Sequence, residues 1–132
     1  MAGTPRSNPF ITVAAALLKK GGRFLVTRRK SGLWEFPGGK REPGESLEEA
    51  LRREIKEELD LSVAVGERFM RLTYPYPDRT VELHLFECRL VSGRPRTLGC
   101  LAWRWASPKE MEDLDFLAAD EEVIQALKGA AD

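Results

Sequence analysis

From Phe10 to Leu18 every position except Thr12 is apolar (FITVAAALL), and the run ends in Lys19-Lys20 and Gly21-Gly22. A second β-prone run, residues 23–29 (RFLVTRR), follows. The pattern predicts a hairpin turning at the two glycines, with a first strand buried on both faces. Residues 31–45 (SGLWEFPGGKREPGE) are rich in glycine and proline and predict a loop of defined shape. Apolar residues then recur every four positions, at Leu47, Leu51, Ile55 and Leu59, behind a Ser46-x-x-Glu49 capping box, which predicts a helix.

Strands are expected at about 62–73 and 80–91, joined by the turn YPYPDR (74–79), and Ser92-Gly93 begins another turn. LAWRWAS (101–107) reads as a further strand with Trp103 and Trp105 on one side. Ser107-Pro108-Lys109-Glu110 reads as an N-cap with proline at the first helical position. A last helix is expected over 120–128, with Asp120 as its cap and Glu121 and Glu122 in its first turn. Residues 1–9 carry turn formers without periodicity and read as a flexible tail, which leaves residues 10–132 as one domain. Strands dominate and do not alternate regularly with helices, so the fold class is α+β rather than a repeat of βαβ units.

Composition narrows the function classes. A chain of 132 residues is long enough for one real core. Lysine plus arginine equals aspartate plus glutamate at 21 each, so nothing in the total charge argues for a nucleic-acid polymer or an anionic membrane. An anionic partner would have to meet local positive charge or a metal. Two cysteines, Cys88 and Cys100, are too few for a disulfide framework or a zinc site and fit free thiols in a reducing compartment. No run reaches the ~18 apolar residues of a membrane span, and the N-terminus lacks a secretion signal's pattern. A cytoplasmic protein without membrane association is expected.

One stretch works against its own stability. Within REIKEELDL (53–61), Glu54, Glu57 and Glu58 stand at i, i+3 and i+4 and share a helix face beside the apolar stripe. Like charges so spaced repel by a few tenths of a kcal/mol per pair. A solvated acidic face, balanced by Arg52, Arg53 and Lys56, is one account. The other is metal binding: clustered carboxylates supply the hard oxygen ligands Mg²⁺ takes. The preceding Pro37-Gly38-Gly39 lets backbone come close to a ligand. Together they suit metal-assisted attack on a phosphate chain.

These residues also carry a family resemblance. Gly39, five residues, Glu45, seven residues and then Arg53-Glu54-Ile55-Lys56-Glu57-Glu58-Leu59-Asp60-Leu61 resembles the Nudix box, G-x5-E-x7-R-E-U-x-E-E-x-G-U, where U is a bulky aliphatic residue. The match departs at one fixed position, Asp60, where the box has glycine. That glycine closes the helix with positive φ, which aspartate tolerates better than most residues, so the motif is expected to survive. The resemblance implies a Nudix fold, an α/β/α sandwich with a mixed central sheet. It implies that Glu54, Glu57 and Glu58, with the Gly38 carbonyl, hold Mg²⁺, with Mn²⁺ as a substitute. Arg53 would orient the catalytic glutamates Glu54 and Glu57, Glu45 would support the loop–helix junction, and Glu54 is the candidate for activating water. Many family members take a further acidic residue from a later loop; here none lies between Arg89 and Lys109.

Val26-Thr27-Arg28-Arg29, Leu33–Lys40 (LWEFPGGK) and Pro77-Asp78-Arg79 are similar to the MutT-like subgroup, over roughly residues 10–128. That subgroup includes 8-oxo-dGTP diphosphatase and CTP/5-methyl-dCTP pyrophosphohydrolases. The implied reaction converts a nucleoside triphosphate to its monophosphate and pyrophosphate. Implied contacts are Arg29 on the phosphates, Glu35, Phe36, Gly38 and Gly39 along the nucleotide, and Tyr76 and Arg79 near the base. Asp120 would read the base edge where the oxidised-guanine enzyme uses asparagine; ionised, it would be an acceptor only. The simpler role for Asp120 is the helix cap. Trp34 and Phe36 fit packing as well as a base wall, His84 fits a structural histidine, and the protein is expected to be a monomer or homodimer. The alternative function is a non-catalytic nucleotide sensor or partner-binding module on the same fold, which normally requires loss of box carboxylates.

Overall fold

The computed structural model describes residues 9–130. Residues 1–8 of the expected tail lie outside the described residues; the carbonyl of Pro9 already accepts from the Thr80 amide at 2.8 Å. Ten elements follow: β1 (Phe10–Lys20), β2 (Arg23–Arg28), β3 (Trp34–Glu35), β4 (Gly38–Lys40), α1 (Leu47–Leu59), β5 (Ser62–Pro75), β6 (Thr80–Ser92), β7 (Ala102–Ala106), α2 (Pro108–Met111) and α3 (Ala118–Ala130).

β1 is the axis of the sheet. It pairs in parallel with β6 from Phe10↔Thr80 to Leu18↔Cys88, and antiparallel with β4 through Val13↔Lys40 to Ala15↔Gly38. The expected hairpin with β2 exists, but only its tip pairs, at Lys19↔Phe24 and Lys20↔Arg23. Beyond that point β2 turns to β7 and β3. β5 completes the sheet against β6. The sheet is therefore mixed, as the fold class requires.

The all-apolar first strand explains the layering. Side chains alternate across a strand, so Ala14, Ala16 and Leu18 enter one core with Leu51, Ile55 and Leu59 of α1. Ala15 and Leu17 enter the opposite core with Val123, Ile124 and Leu127 of α3 and Met111 of α2. Both faces of β1 are covered, which gives an α/β/α sandwich. Among the described residues no helix is long and apolar enough to cross a membrane.

Local signals account for most boundaries. Ser46 and Glu49 form the full reciprocal capping box, and Ser107 and Glu110 repeat it at α2 behind Pro108. Asp60 ends α1 in the left-handed region at φ 58°, ψ 38°, with its amide on the Lys56 carbonyl at 3.0 Å. The box departure thus keeps the backbone that glycine would supply. Its carboxylate also meets Lys56 Nζ at 2.9 Å and Arg96 Nη1 at 3.4 Å, contacts glycine lacks. Substituting Asp60→Gly trades these exposed pairs for relief of the left-handed backbone, so the thermal midpoint should move by less than about 4 °C in a melt.

Two expectations need correction. The stretch 31–45 is not all loop, because β3 and β4 form within it against β2 and β1. The last helix starts at Ala118, so Asp120 is not its cap but a buried residue of its first turn. Leu117, the residue ahead of the helix, has no polar side chain to cap with. Instead the Ala119 amide donates to Tyr76 Oη at 3.1 Å and the Asp120 amide to the Leu117 carbonyl at 3.0 Å.

Candidate active site

The β4–α1 junction is organised by one guanidinium. Arg53 donates from Nε and Nη2 to both carboxylate oxygens of Glu45, at 2.7 and 2.8 Å. Its Nη1 reaches Glu54 Oε1 at 2.8 Å and Glu57 Oε2 at 3.3 Å, and Nη2 also donates to the Lys40 carbonyl at 3.0 Å. The fork geometry of arginine makes one side chain able to serve all four groups. Arg53, through its hydrogen bonds, holds the Glu45 carboxyl down to about 2. Arg53 therefore ties loop to helix and fixes Glu54, the contacts expected of it and of Glu45.

The glycines are needed for close approach. A Cβ on Gly38, which sits at φ 155°, would lie 2.0 Å from the Ala14 carbonyl oxygen. A Cβ on Gly39 would lie 2.3 Å from the Glu54 carboxylate, so that carboxylate rests against bare backbone. The three helix carboxylates are not alike. Glu57 is exposed, Glu54 is partly buried, and Glu58 is turned inward with Oε1 buried and unpartnered. Among the described residues no three acidic, His or Cys side chains already converge as a metal cage. Arg53 draws Glu54 and Glu57 to itself, and Glu58 stands apart.

Glu58 nevertheless faces other acids. Burial pushes its carboxyl up to about 8, helped by the negative fields of Glu35 and Glu54. Thr27 Oγ1 favours its charged form but falls short of normal hydrogen-bond geometry, so both oxygens stay unpartnered. Burial likewise pushes Glu35 up to about 7, opposed by Arg29, whose Nη1 is 3.8 Å away, and reinforced by Glu54. Crowded carboxylates with an orphaned buried oxygen are short of positive charge. Hard oxygen donors in that condition fit a divalent cation such as Mg²⁺.

Beside this cluster opens a cavity of about 590 Å³. Arg29, Lys30, Glu35, Gly38, Gly39 and Lys40 line one side, and Val13, Ala15, Val81 and Leu83 of β1 and β6 form an apolar floor. Tyr76, Arg79 and Asp120 close the far end. Asp120 is 4% exposed; burial raises its carboxyl well above the aspartate range, although the Phe36 amide hydrogen-bonds it. Burial thus favours its protonated form, one donor plus one acceptor, over the acceptor-only group expected from sequence. The Phe36 ring is core, 5.7 Å from Phe116, while the residue borders the cavity. Arg79 stacks over the Tyr76 ring at 5.1 Å.

Sequence reasoning missed the wall formed by Gly99 and Cys100. The segment carrying them crosses the end of α1, where the Leu98 and Gly99 amides both donate to the Glu58 carbonyl, at 3.1 and 3.0 Å. No spacing signal marks it; only Gly99, lying against the Glu58 backbone, hints at a close approach. Thr27, fully buried beside Glu58, is likewise marked by no spacing signal. His84 lies outside the cavity, buried and bonded to Glu82 Oε1 at 2.6 Å, as a structural histidine would be. Cys88 is a half-buried thiol, which desolvation pushes up to about 12.

A sandwich that brings a glycine-rich strand against an arginine-braced acidic helix, at the mouth of a nucleotide-sized cleft, defines a class of phosphoanhydride hydrolase. The chain belongs to the Nudix family: the NUDIX domain model matches residues 8–127. It is a MutT-like Nudix hydrolase by its relatives. An 8-oxo-dGTP diphosphatase of Buchnera aphidicola is 35% identical over 108 residues, 80% of this chain and 87% of that protein. A CTP pyrophosphohydrolase of Escherichia coli is 34% identical over 121 residues, 88% of this chain and 90% of the relative. The solution structure of the Escherichia coli ORF135 protein, 32% identical, superposes with a TM-score of 0.81 and covers 92% of this chain and 91% of its own.

Proposed function

We propose that this protein hydrolyses a nucleoside triphosphate to the monophosphate and pyrophosphate, with Mg²⁺ or Mn²⁺, on substrates of the 8-oxo-dGTP or CTP/5-methyl-dCTP type. The observation that carries this reading is the cleft lined by Gly38, Gly39, Arg29, Tyr76, Arg79 and Asp120, with Glu54 packed behind its Gly39 wall and Glu58 behind its Gly99 wall. Glu54, Glu57 and Glu58, with the Gly38 carbonyl, would hold the metal, which would neutralise charge on the phosphates and lower the pKa of a water. Arg53 keeps Glu54 oriented as the candidate for accepting the water's proton. Arg29 and Lys30, on the cavity wall that also carries Gly38 and Gly39, offer the phosphate chain positive charge. The apolar floor takes the flat face of the base, and Gly39 leaves room for the Glu54 carboxylate against backbone.

The upward shift of the Asp120 carboxyl favours its protonated form, which suits either base type. Its hydroxyl can donate to cytosine N3 while its carbonyl accepts from the exocyclic amine; the same pair fits the O6 and N1–H of an oxidised guanine. An asparagine has the same donor–acceptor pair, whereas alanine has neither. Comparing kcat/KM for 8-oxo-dGTP, dGTP, CTP and 5-methyl-dCTP should therefore show an unchanged preference order in Asp120→Asn. In Asp120→Ala the preferred substrate should lose at least ~10-fold, as removal of a polar base contact requires. An Asp120→Ala enzyme with wild-type preferences would remove Asp120 from base recognition. Absence of Mg²⁺-dependent pyrophosphate release with every nucleotide would instead favour a binding module.

A further inference from the structure

We infer that Tyr76 acts less as a stacking surface than as a positioning residue: its hydroxyl caps helix α3 from the β5–β6 turn, and through that cap it sets where Asp120 meets the base. The inference rests on the reading of the cleft as a nucleotide site. A helix leaves its first amides without intrahelical partners, and an N-cap side chain ordinarily takes one of them. Leu117, ahead of Ala118, cannot. The partner comes from another element, since Tyr76 Oη accepts from the Ala119 amide at 3.1 Å. The peptide immediately before is held from a different strand, with the Leu117 amide on the Trp34 carbonyl at 3.0 Å.

Asp120 follows directly on this doubly anchored start. Its side chain is buried and takes the Phe36 amide, while the Tyr76 turn and β3 at Trp34 hold the backbone just ahead of it through the Ala119 and Leu117 amides. Tyr76 is itself braced. Its amide donates to the Arg79 carbonyl at 2.7 Å, its ring lies 4.7 Å from Tyr74, and Arg79 covers it. The turn is therefore a rigid strut, and its one hydrogen bond to α3 spans the far end of the cleft. Because the phenol oxygen accepts in that bond, its own proton remains free to donate.

Tyr76→Phe removes the cap and keeps the ring, so stacking survives while the strut is cut. Exchange of the Ala119 amide in the free protein should accelerate about five-fold, the effect of losing one ordinary hydrogen bond, with the α1 amides unchanged. On the nucleotide panel, the kcat/KM ratio between the best and worst bases should shrink about five-fold, through KM, with kcat within about two-fold. In the Asp120→Ala background the same change should leave the ratio where Asp120→Ala has put it, because both act through one carboxyl. A general loss of stability would lower all substrates alike. If Ala119 exchange is unaltered, or all substrates fall together while the ratio stays fixed, Tyr76 does not position Asp120. A wild-type protein inactive on every nucleotide would overturn the nucleotide reading of the cleft and the selectivity role with it.

Discussion

Glu58→Gln should cut kcat by at least ~10²-fold at saturating Mg²⁺, a loss of ~2.7 kcal/mol or more of transition-state stabilisation. The same result is expected of Glu57→Gln. The argument is sharper for Glu58, because its burial separates a functional from a structural effect. Glutamine fills the same space and keeps one oxygen, so the substitution opens no cavity. Glu58 Oε1 has no protein partner to lose, and the wild-type carboxylate is already disfavoured by burial and by Glu35 and Glu54. The metal-free variant should therefore melt within a few degrees of wild type. What it loses is the capacity to present an anionic carboxylate to a cation, at a point crowded by Glu35 and Glu54 where Oε1 has no partner. Mn²⁺ affinity, measured directly by titration, should fall at least ~10-fold alongside kcat. Near-wild-type turnover in both Glu57→Gln and Glu58→Gln would sink the metal assignment.

Much of this site is legible in the one-dimensional pattern because it is local. Gly39, Glu45, Arg53, Glu54, Glu57 and Glu58 lie within twenty residues, and helical spacing alone puts the last four on neighbouring faces. Arg53 then contacts Glu45, Glu54 and Glu57, which that spacing allows. Even the departure at Asp60 is readable, since one property of the position, its left-handed backbone, decides the outcome.

Periodicity does not report how far each carboxylate is buried. Glu57 and Glu58 are adjacent in sequence, yet one faces solvent and the other the interior, because Gly99 and its neighbours fold across the end of α1. That segment is forty residues away and has no regular pattern of its own.

The misreading of Asp120 has the same origin. An aspartate followed by two glutamates is a good cap signal, and local chemistry favours starting the helix there. The real start is displaced two residues toward the N-terminus because a phenol from a distant turn satisfies Ala119. A tertiary partner replaced the local one, and with it made Asp120 a buried residue of the first turn rather than a solvated cap. The hairpin prediction was right about the turn and silent about the pairing. β1 leaves β2 after two residue pairs because β4 takes that edge of β1 at Val13 to Ala15, while β6 runs along the other edge, and no short-range signal identifies either partner.

The largest effect on stability should come from Gly38→Ala, and its neighbour should behave differently. At Gly38 the new methyl would meet backbone on β1: Ala14 O at 2.0 Å, Ala15 Cα at 2.7 Å and Ala14 C at 2.9 Å. None of these is the end of a flexible side chain, and the backbone there is at positive φ, so β4 can accept alanine only by leaving β1. The expected cost is roughly 3 kcal/mol or more of unfolding free energy, by denaturant titration. At Gly39 the methyl would meet only the Glu54 side chain, nearest at Cδ and Oε2. A carboxylate on a flexible stem can swing aside, so Gly39→Ala should lose less than about 1.5 kcal/mol of stability. Moving Glu54 by about an ångström, however, displaces a proposed metal ligand and proton acceptor together, and kcat should fall by about 10²-fold. One glycine thus serves the sheet and the next serves the chemistry. If Gly39→Ala unfolds the protein as Gly38→Ala does, or turns over normally, the close seating of Glu54 against that backbone is not what the site requires.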